Sequence, residues 1–444
     1  MINITNVKQK KVSIVLFLIG LFVLTFSYTN NGLHALSKGY FSHFQTSSEG
    51  LIINRVVKNR SEPYFDKGGL PGWFNPAYPF SRSKSYAYYL YTQGENHESF
   101  SFYKTHHGTQ ALIYSVLDQY LLSFLSPSNR FYALHLITAF VNSLVFMLLI
   151  WQLKRVFELK KITLLLLVFS MAFAQFLVPF GNNLWWAVGS FYIPFIICLW
   201  ISNKGKSNST IILYAAIAMF LKYLFTGYEF ITTIWIMSLL ACIITLPTFN
   251  IKQIIKATLY PALGFLFATI TSMTLIVTQI RMADGTWKAG WDHLIFSFLK
   301  RSHGNSSSLP EVYAASLDAQ LFPVIKNYFT TVWLDISHLI GDGLPIFLRV
   351  IKWWEVVALF LVILTTNLLL NLNQKLNRIA ILTGLSFLAP FSWLIIFKGH
   401  SYIHQHMNHI IWWMPTSFFI VIYISESMPA IWTKLKTKFH KRTS

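Results

Sequence analysis

Three stretches of the sequence carry side chains whose types and spacing could do chemistry. Ser48-Glu49-Gly50-Leu51-Ile52-Ile53-Asn54-Arg55 sets a carboxylate one helical stretch from a guanidinium. Gly227-Tyr228-Glu229 places a second carboxylate at a glycine turn. Lys398-Gly-His-Ser-Tyr-Ile-His-Gln-His-Met-Asn-His409 concentrates one lysine and four histidines. A carboxylate can take the proton from an attacking hydroxyl. Arg, Lys and protonated His can hold an anion that gains charge, such as a departing phosphate. Glu49 therefore reads as a candidate base. Arg55, Lys398, His400, His404, His406 and His409 read as candidate phosphate or acceptor ligands. His400 and His404 are spaced to share a helix face, as are His406 and His409. A metal site usually recruits an acid or a cysteine as well, and this segment has neither, so anion or acceptor binding is the favoured reading over a divalent metal.

These groups need elements to position them, and composition says which. Of 444 residues, 54% are hydrophobic and 12% charged. A soluble domain carries about a quarter charged residues, so a soluble enzyme, a disordered chain and a fibrous repeat are set aside. An all-α integral membrane protein remains. Apolar runs at about 12–28, 131–153, 162–180, 185–201, 210–226, 231–247, 258–280, 353–370, 379–396 and 410–424 each suit a crossing of a hydrocarbon core about 30 Å thick, which predicts about ten spans. The first follows Lys8, Lys10 and Lys11 and lacks a small-residue cleavage site, so it reads as an uncleaved anchor.

The predicted plan is a tail and first span (1–28), a long exterior segment (29–130), a six-span core (131–280), a second long exterior segment (281–352), three final spans with the His-rich turn at 398–409 (353–424), and a basic tail (425–444). Eighteen Lys and Arg fall on the six pieces facing the same side as the N-terminus, while the three short opposite turns hold only Lys398. That bias places both termini in the cytoplasm. It also accounts for much of the net charge of +20 without a nucleic-acid partner; membrane lipid phosphates are the expected anionic neighbours. Twelve of the sixteen acidic residues lie in the two long exterior segments, so the polar apparatus faces outward, above the bilayer. A carrier would more often hold its essential charges at mid-membrane.

Several local expectations follow. Leu51, Ile52, Val56 and Val57 make the stretch after Glu49 amphipathic, which predicts a helix on the membrane surface with Glu49 and Arg55 near its polar side. Tyr328 to Val350 reads as an interfacial amphipathic helix broken by Gly341-Asp342-Gly343 and Pro345. The tryptophan pairs 185/186, 353/354 and 412/413 read as interface anchors. Glu229 has Lys222 within reach as a partner. Cys198 and Cys242 both fall in apolar segments, so no disulfide framework is expected.

The span layout, together with Glu49 after the first span, Tyr103-Lys-Thr-His-His-Gly-Thr-Gln110 before the second, Gly227-Tyr228-Glu229 and the 398–409 segment, resembles the GT-C superfamily of polytopic glycosyltransferases. Those enzymes typically put an acidic pair followed by Gly in the first exterior loop; Ser48 stands here in place of the first acid. The resemblance implies transfer of a sugar from a polyprenyl-phosphate donor to a cell-surface glycan or lipid-linked acceptor, as in phage-type enzymes that glucosylate O-antigen. It implies a bacterial cytoplasmic membrane location and no required cofactor, and it adds His106 and Gln110 to the candidate ligands. Such a transfer needs a base for the acceptor hydroxyl, alignment of the anomeric carbon, and stabilisation of the leaving lipid phosphate. No Walker loop, G-x-S-x-G elbow, H-E-x-x-H or C-x-x-C is present, and no large soluble domain lies on the cytoplasmic side for a nucleotide-sugar donor. The rival classes are a flippase or carrier of lipid-linked sugars and an O-antigen-type polymerase or ligase.

Overall fold

The structure, a computed structural model, describes residues 4–43, 48–75, 84–93, 99–341 and 345–443. It is helical nearly throughout. Among the described residues, seven helices are long and apolar enough to cross a membrane: Ile14–Asn31, Pro127–Phe157, Asn208–Thr226, Ile251–Asp284, Trp353–Leu370, Gln374–Ile396 and Thr416–Lys438. Three shorter apolar helices, Lys161–Ala172, Val188–Ser202 and Ile231–Ile244, occupy the other three apolar runs. Phe22, Phe267, Val362 and Leu369 point outward from the spanning helices. An apolar skin around hydrogen-bonded helices is the surface a hydrocarbon solvent requires, and the chain is a multi-pass membrane protein.

Side-chain caps fix where the spans begin. Ser126 accepts from the Asn129 backbone N–H, with Pro127 at the first helical position. Ser207 and Asn250 cap the next two long spans in the same way. The short helices end for local reasons. Lys161–Ala172 stops at Phe173, and irregular backbone follows to residue 177. The opposite ends of the spans define two poles. Glu426 accepts from the Thr163 hydroxyl and the Lys160 backbone N–H and pairs with Lys375, which gathers the turns after residues 157 and 370 at the pole bearing the termini.

The first long inter-span segment is a packed layer at the other pole. Ser48–Lys58 is a helix whose residues from Glu49 onward are all buried, wedged between helix Lys84–Gln93, helix Thr109–Val116 and strand Gly72–Asn75. The expected surface helix is thus corrected: Glu49 and Arg55 are buried, because two helices and a strand enclose this helix and leave no side for solvent. Strand Gly72–Asn75 pairs antiparallel with Ser99–Phe102, Gly72 opposite Phe102. A Cβ at Gly72 would sit 2.1 Å from the Ser101 carbonyl, so only glycine lets the strands close.

The second segment also departs from expectation. Leu321–Thr330 is helical, but beyond it the chain forms strand Val332–Asp335, paired antiparallel with Val350–Lys352, rather than one amphipathic helix. The β-branched and aromatic residues of Thr331-Val332-Trp333 and Val350-Ile351 prefer the pleated arrangement, and Leu334 bridges to Ala174 in the broken stretch after Lys161–Ala172. Asp342 lies outside the described residues, as do Glu95 and Glu98.

Candidate functional site

At the pole opposite the termini, a cleft of about 180 Å³ is lined by Ser48, Leu51, Tyr103, Trp185, Trp186, Glu229, Arg301, His400, His404 and Met407. All four candidate stretches contribute to its wall. They are joined by Arg301 and the two tryptophans, which the sequence reading did not select.

Glu229 reaches the cleft through a tight turn. Helix Asn208–Thr226 ends at Gly227, whose φ of +54° suits glycine, and a Cβ there would stand 3.0 Å from the Thr105 carbonyl. The Lys222 ammonium donates to the backbone carbonyls of Gly227 and Glu229, both at 2.6 Å. The expected Lys222–Glu229 pairing is therefore made through the main chain, and the Glu229 carboxylate is left for the cleft. Its Oε1 stands 3.6 Å from the Arg301 guanidinium and its Oε2 3.4 Å from His400 Nε2. Oε2 is buried and accepts no hydrogen bond from any described residue. The nearest donors to the carboxylate are thus His400 Nε2 and the Arg301 guanidinium.

His400 is held in one tautomer. The Asn408 side-chain amide donates to its Nδ1 at 3.0 Å, which leaves the proton on Nε2, the nitrogen facing Glu229. Burial, the neighbouring His404 ring and the cations Arg301 and Lys300 hold its pKa well below the usual histidine value. Neutral His400 thus brings a directed N–H to the cleft rather than positive charge, and the cation beside Glu229 is Arg301. His400 N donates to the Arg301 carbonyl, which fixes these two segments together.

The tryptophan wall is anchored from behind. Asn183 Oδ1 accepts from the backbone N–H groups of Trp185 and Trp186 at 2.9 and 3.2 Å. Glu49 Oε1 accepts from the Leu184 N–H at 2.9 Å and lies 2.7 Å from His135 Nε2; the other ring nitrogen of His135 lies 3.0 Å from the Phe131 carbonyl. The Gln110 amide donates to the Trp185 carbonyl at 2.9 Å and also to the Phe225 carbonyl. His106 lies against the Trp185 ring, with centroids 4.4 Å apart. Burial drives the pKa of His106 down to about 3 and that of His107 to about 4, so both rings are neutral.

The candidate residues thus separate. His400 and His404 line the cleft; Glu49, His106 and Gln110 brace its wall without lining it. Arg55 is elsewhere, donating to the Tyr64 and Asp66 carbonyls at 2.7 and 3.2 Å. Lys398 donates to the Leu317 carbonyl at 2.7 Å and ties down the second long segment. His409 lies between the rings of Phe176 and Tyr328. The side chain of His406 lies outside the described residues. The tryptophans expected at an interface are buried, except Trp354, which is exposed. Among the described residues, no three His, Cys, Asp or Glu side chains converge as a metal would need. No family model, no curated protein and no solved structure matches this chain.

Proposed function

We propose that this protein is a GT-C-type membrane glycosyltransferase of about ten spans. In this reading it moves a sugar from a polyprenyl-phosphate donor to an O-antigen-like surface glycan or a lipid-linked acceptor, at the outer face of a bacterial cytoplasmic membrane with both termini inside. The observation that supports it most is the gathering of four distant stretches around one cleft, where a buried carboxylate oxygen lacks a donor beside a guanidinium.

The roles follow from that geometry. Glu229 takes the proton from the acceptor hydroxyl as the new C–O bond forms. The bond from the anomeric carbon to the lipid phosphate breaks, and its electron pair leaves with the phosphate. Arg301 faces that growing charge, where a planar fork of donors serves best. His400 turns its Nε2–H toward Glu229 from 3.4 Å. Trp185 and Trp186 offer aromatic faces to a sugar ring. The base role moves from Glu49 to Glu229, because Glu49 stands outside the lining and has its Oε1 engaged by His135 and Leu184.

The test supplies a radiolabelled polyprenyl-phosphate sugar and surface glycan to purified protein. Label should pass to the glycan with wild type, one residue at a time by mass spectrometry. Glu229→Gln should fall by about 10²–10⁴-fold, the usual worth of general-base help. Transfer at the wild-type rate by folded Glu229→Gln removes Glu229 from the mechanism; no transfer by wild type from any polyprenyl-phosphate sugar removes the function.

A further inference from the structure

A second cavity lies at the pole bearing the termini. It has a volume of about 610 Å³, within the range of roughly 300–1,000 Å³ typical of small-molecule sites. Lys204 on its wall precedes helix Asn208–Thr226 and Glu229 follows that helix, so the cavity and the cleft are separated by about 28 Å of helix axis.

Its charge is one-sided. Arg155, Lys204, Lys375 and Arg378 line it, from three separate stretches of chain, against the single carboxylate of Glu158. Two of these cations are fixed in place. The Arg378 guanidinium donates to the Ile244 carbonyl at 2.6 Å and to those of Leu246 and Pro247, closing the end of helix Ile231–Ile244. The Lys375 ammonium donates to the Glu158 carbonyl and pairs with Glu426, each at 3.3 Å. The other two are not spent. Arg155 and Lys204 are exposed, and their side chains make no hydrogen bond or ion pair with any described residue. Orientation in a membrane asks only that basic residues lie on the inner loops. It does not ask that they converge on a concave wall, and Lys252 and Lys256, which serve the same bias on the exposed start of helix Ile251–Asp284, do not line this cavity.

We propose that this cavity is a binding site for a phosphate-bearing ligand, with Arg155 and Lys204 closing on the phosphate and Lys375 and Arg378 shaping the floor. A phosphate has enough oxygens to accept from several cations at once, and the arginine fork matches its geometry. Its depth, at the ends of spans, lets the phosphate arrive either on a phospholipid headgroup of the inner leaflet or on a soluble compound. The assignment does not depend on what the cleft does.

The test uses the full chain in nanodiscs. In one arm the discs are phosphatidylcholine alone and inorganic pyrophosphate is titrated calorimetrically. In the other the discs include phosphatidic acid, and the molecules retained are counted by native mass spectrometry. Wild type should bind in at least one arm, and the arm in which it binds identifies the source. The Arg155→Ala/Lys204→Ala variant, with an unchanged unfolding midpoint, should bind at least about tenfold more weakly, the loss of a charge-assisted contact. Lys252→Ala/Lys256→Ala removes equal charge from the same pole and should bind as wild type does. Absence of binding in both arms, equal binding by the cavity variant, or an equal loss in the Lys252/Lys256 variant overturns the proposal. If the cavity variant fails to fold, Arg155→Gln alone replaces it, with the same readings.

Discussion

Glu49 and Glu229 both meet the turn carrying Trp185 and Trp186, and they meet it from different sides. Glu49 is fully buried, its Oε1 shared between the Leu184 N–H and His135. Glu229 shares the cleft with the tryptophans, with Arg301 3.6 Å and His400 3.4 Å from its carboxylate oxygens. A carboxylate with strong partners stabilises the fold; one whose partners stand just beyond hydrogen-bond reach keeps room for a substrate. Position in the sequence marks Glu49, but access marks Glu229.

The comparison breaks most visibly if the two are exchanged. Glu229→Gln should lower transfer by about 10²–10⁴-fold while leaving the unfolding midpoint near that of wild type. Glu49→Ala should act on stability, costing about 3–5 kcal/mol because it strands His135 in a buried site. Denaturation in detergent measures this, and His135→Ala combined with Glu49→Ala should cost less than the sum of the two singles.

The bracing histidines sharpen the same contrast through pH. Their native values, about 3 and about 4, lie below the ordinary 6.5, so the unfolded chain binds protons that the native protein does not. Their stabilising contribution is complete above pH ~6.5 and is lost as pH falls toward 4, at up to about 1.4 kcal/mol per pH unit for each ring. Unfolding midpoints measured from pH 7 to 4 should fall accordingly, and His107→Gln should flatten the slope. A smaller effect belongs to Arg301→Lys. It keeps the charge but loses the fork, and should reduce kcat/KM roughly tenfold, about 1.4 kcal/mol, without shifting stability.

The membrane class was legible because a span needs a long apolar run and composition records it. Where three runs yielded helices of only 10–17 residues, the chain breaks locally, as after Ala172, and hydropathy alone does not see the break. The four candidate stretches were legible as stretches. Which side chain of each turns toward the cleft was not, since that depends on contacts far away in sequence. His135 lies 86 residues from Glu49, and Arg301 is one cation among several in a long segment. The His135 signal was available: an ionisable group near the start of a span calls for a partner. The burial of Ser48–Lys58 was hidden because the apolar side of a short amphipathic helix looks the same whether it rests on lipid or is enclosed by protein.

Thiol labelling of intact cells with a membrane-impermeant reagent tests the central arrangement most directly. Cys198 and Cys242 are buried and give little background. Glu229→Cys and Ser48→Cys should react from outside, Glu49→Cys should stay unlabelled in folded protein, and Lys204→Cys should react only after permeabilisation. Labelling of Lys204→Cys in intact cells while Glu229→Cys stays silent would contradict the account.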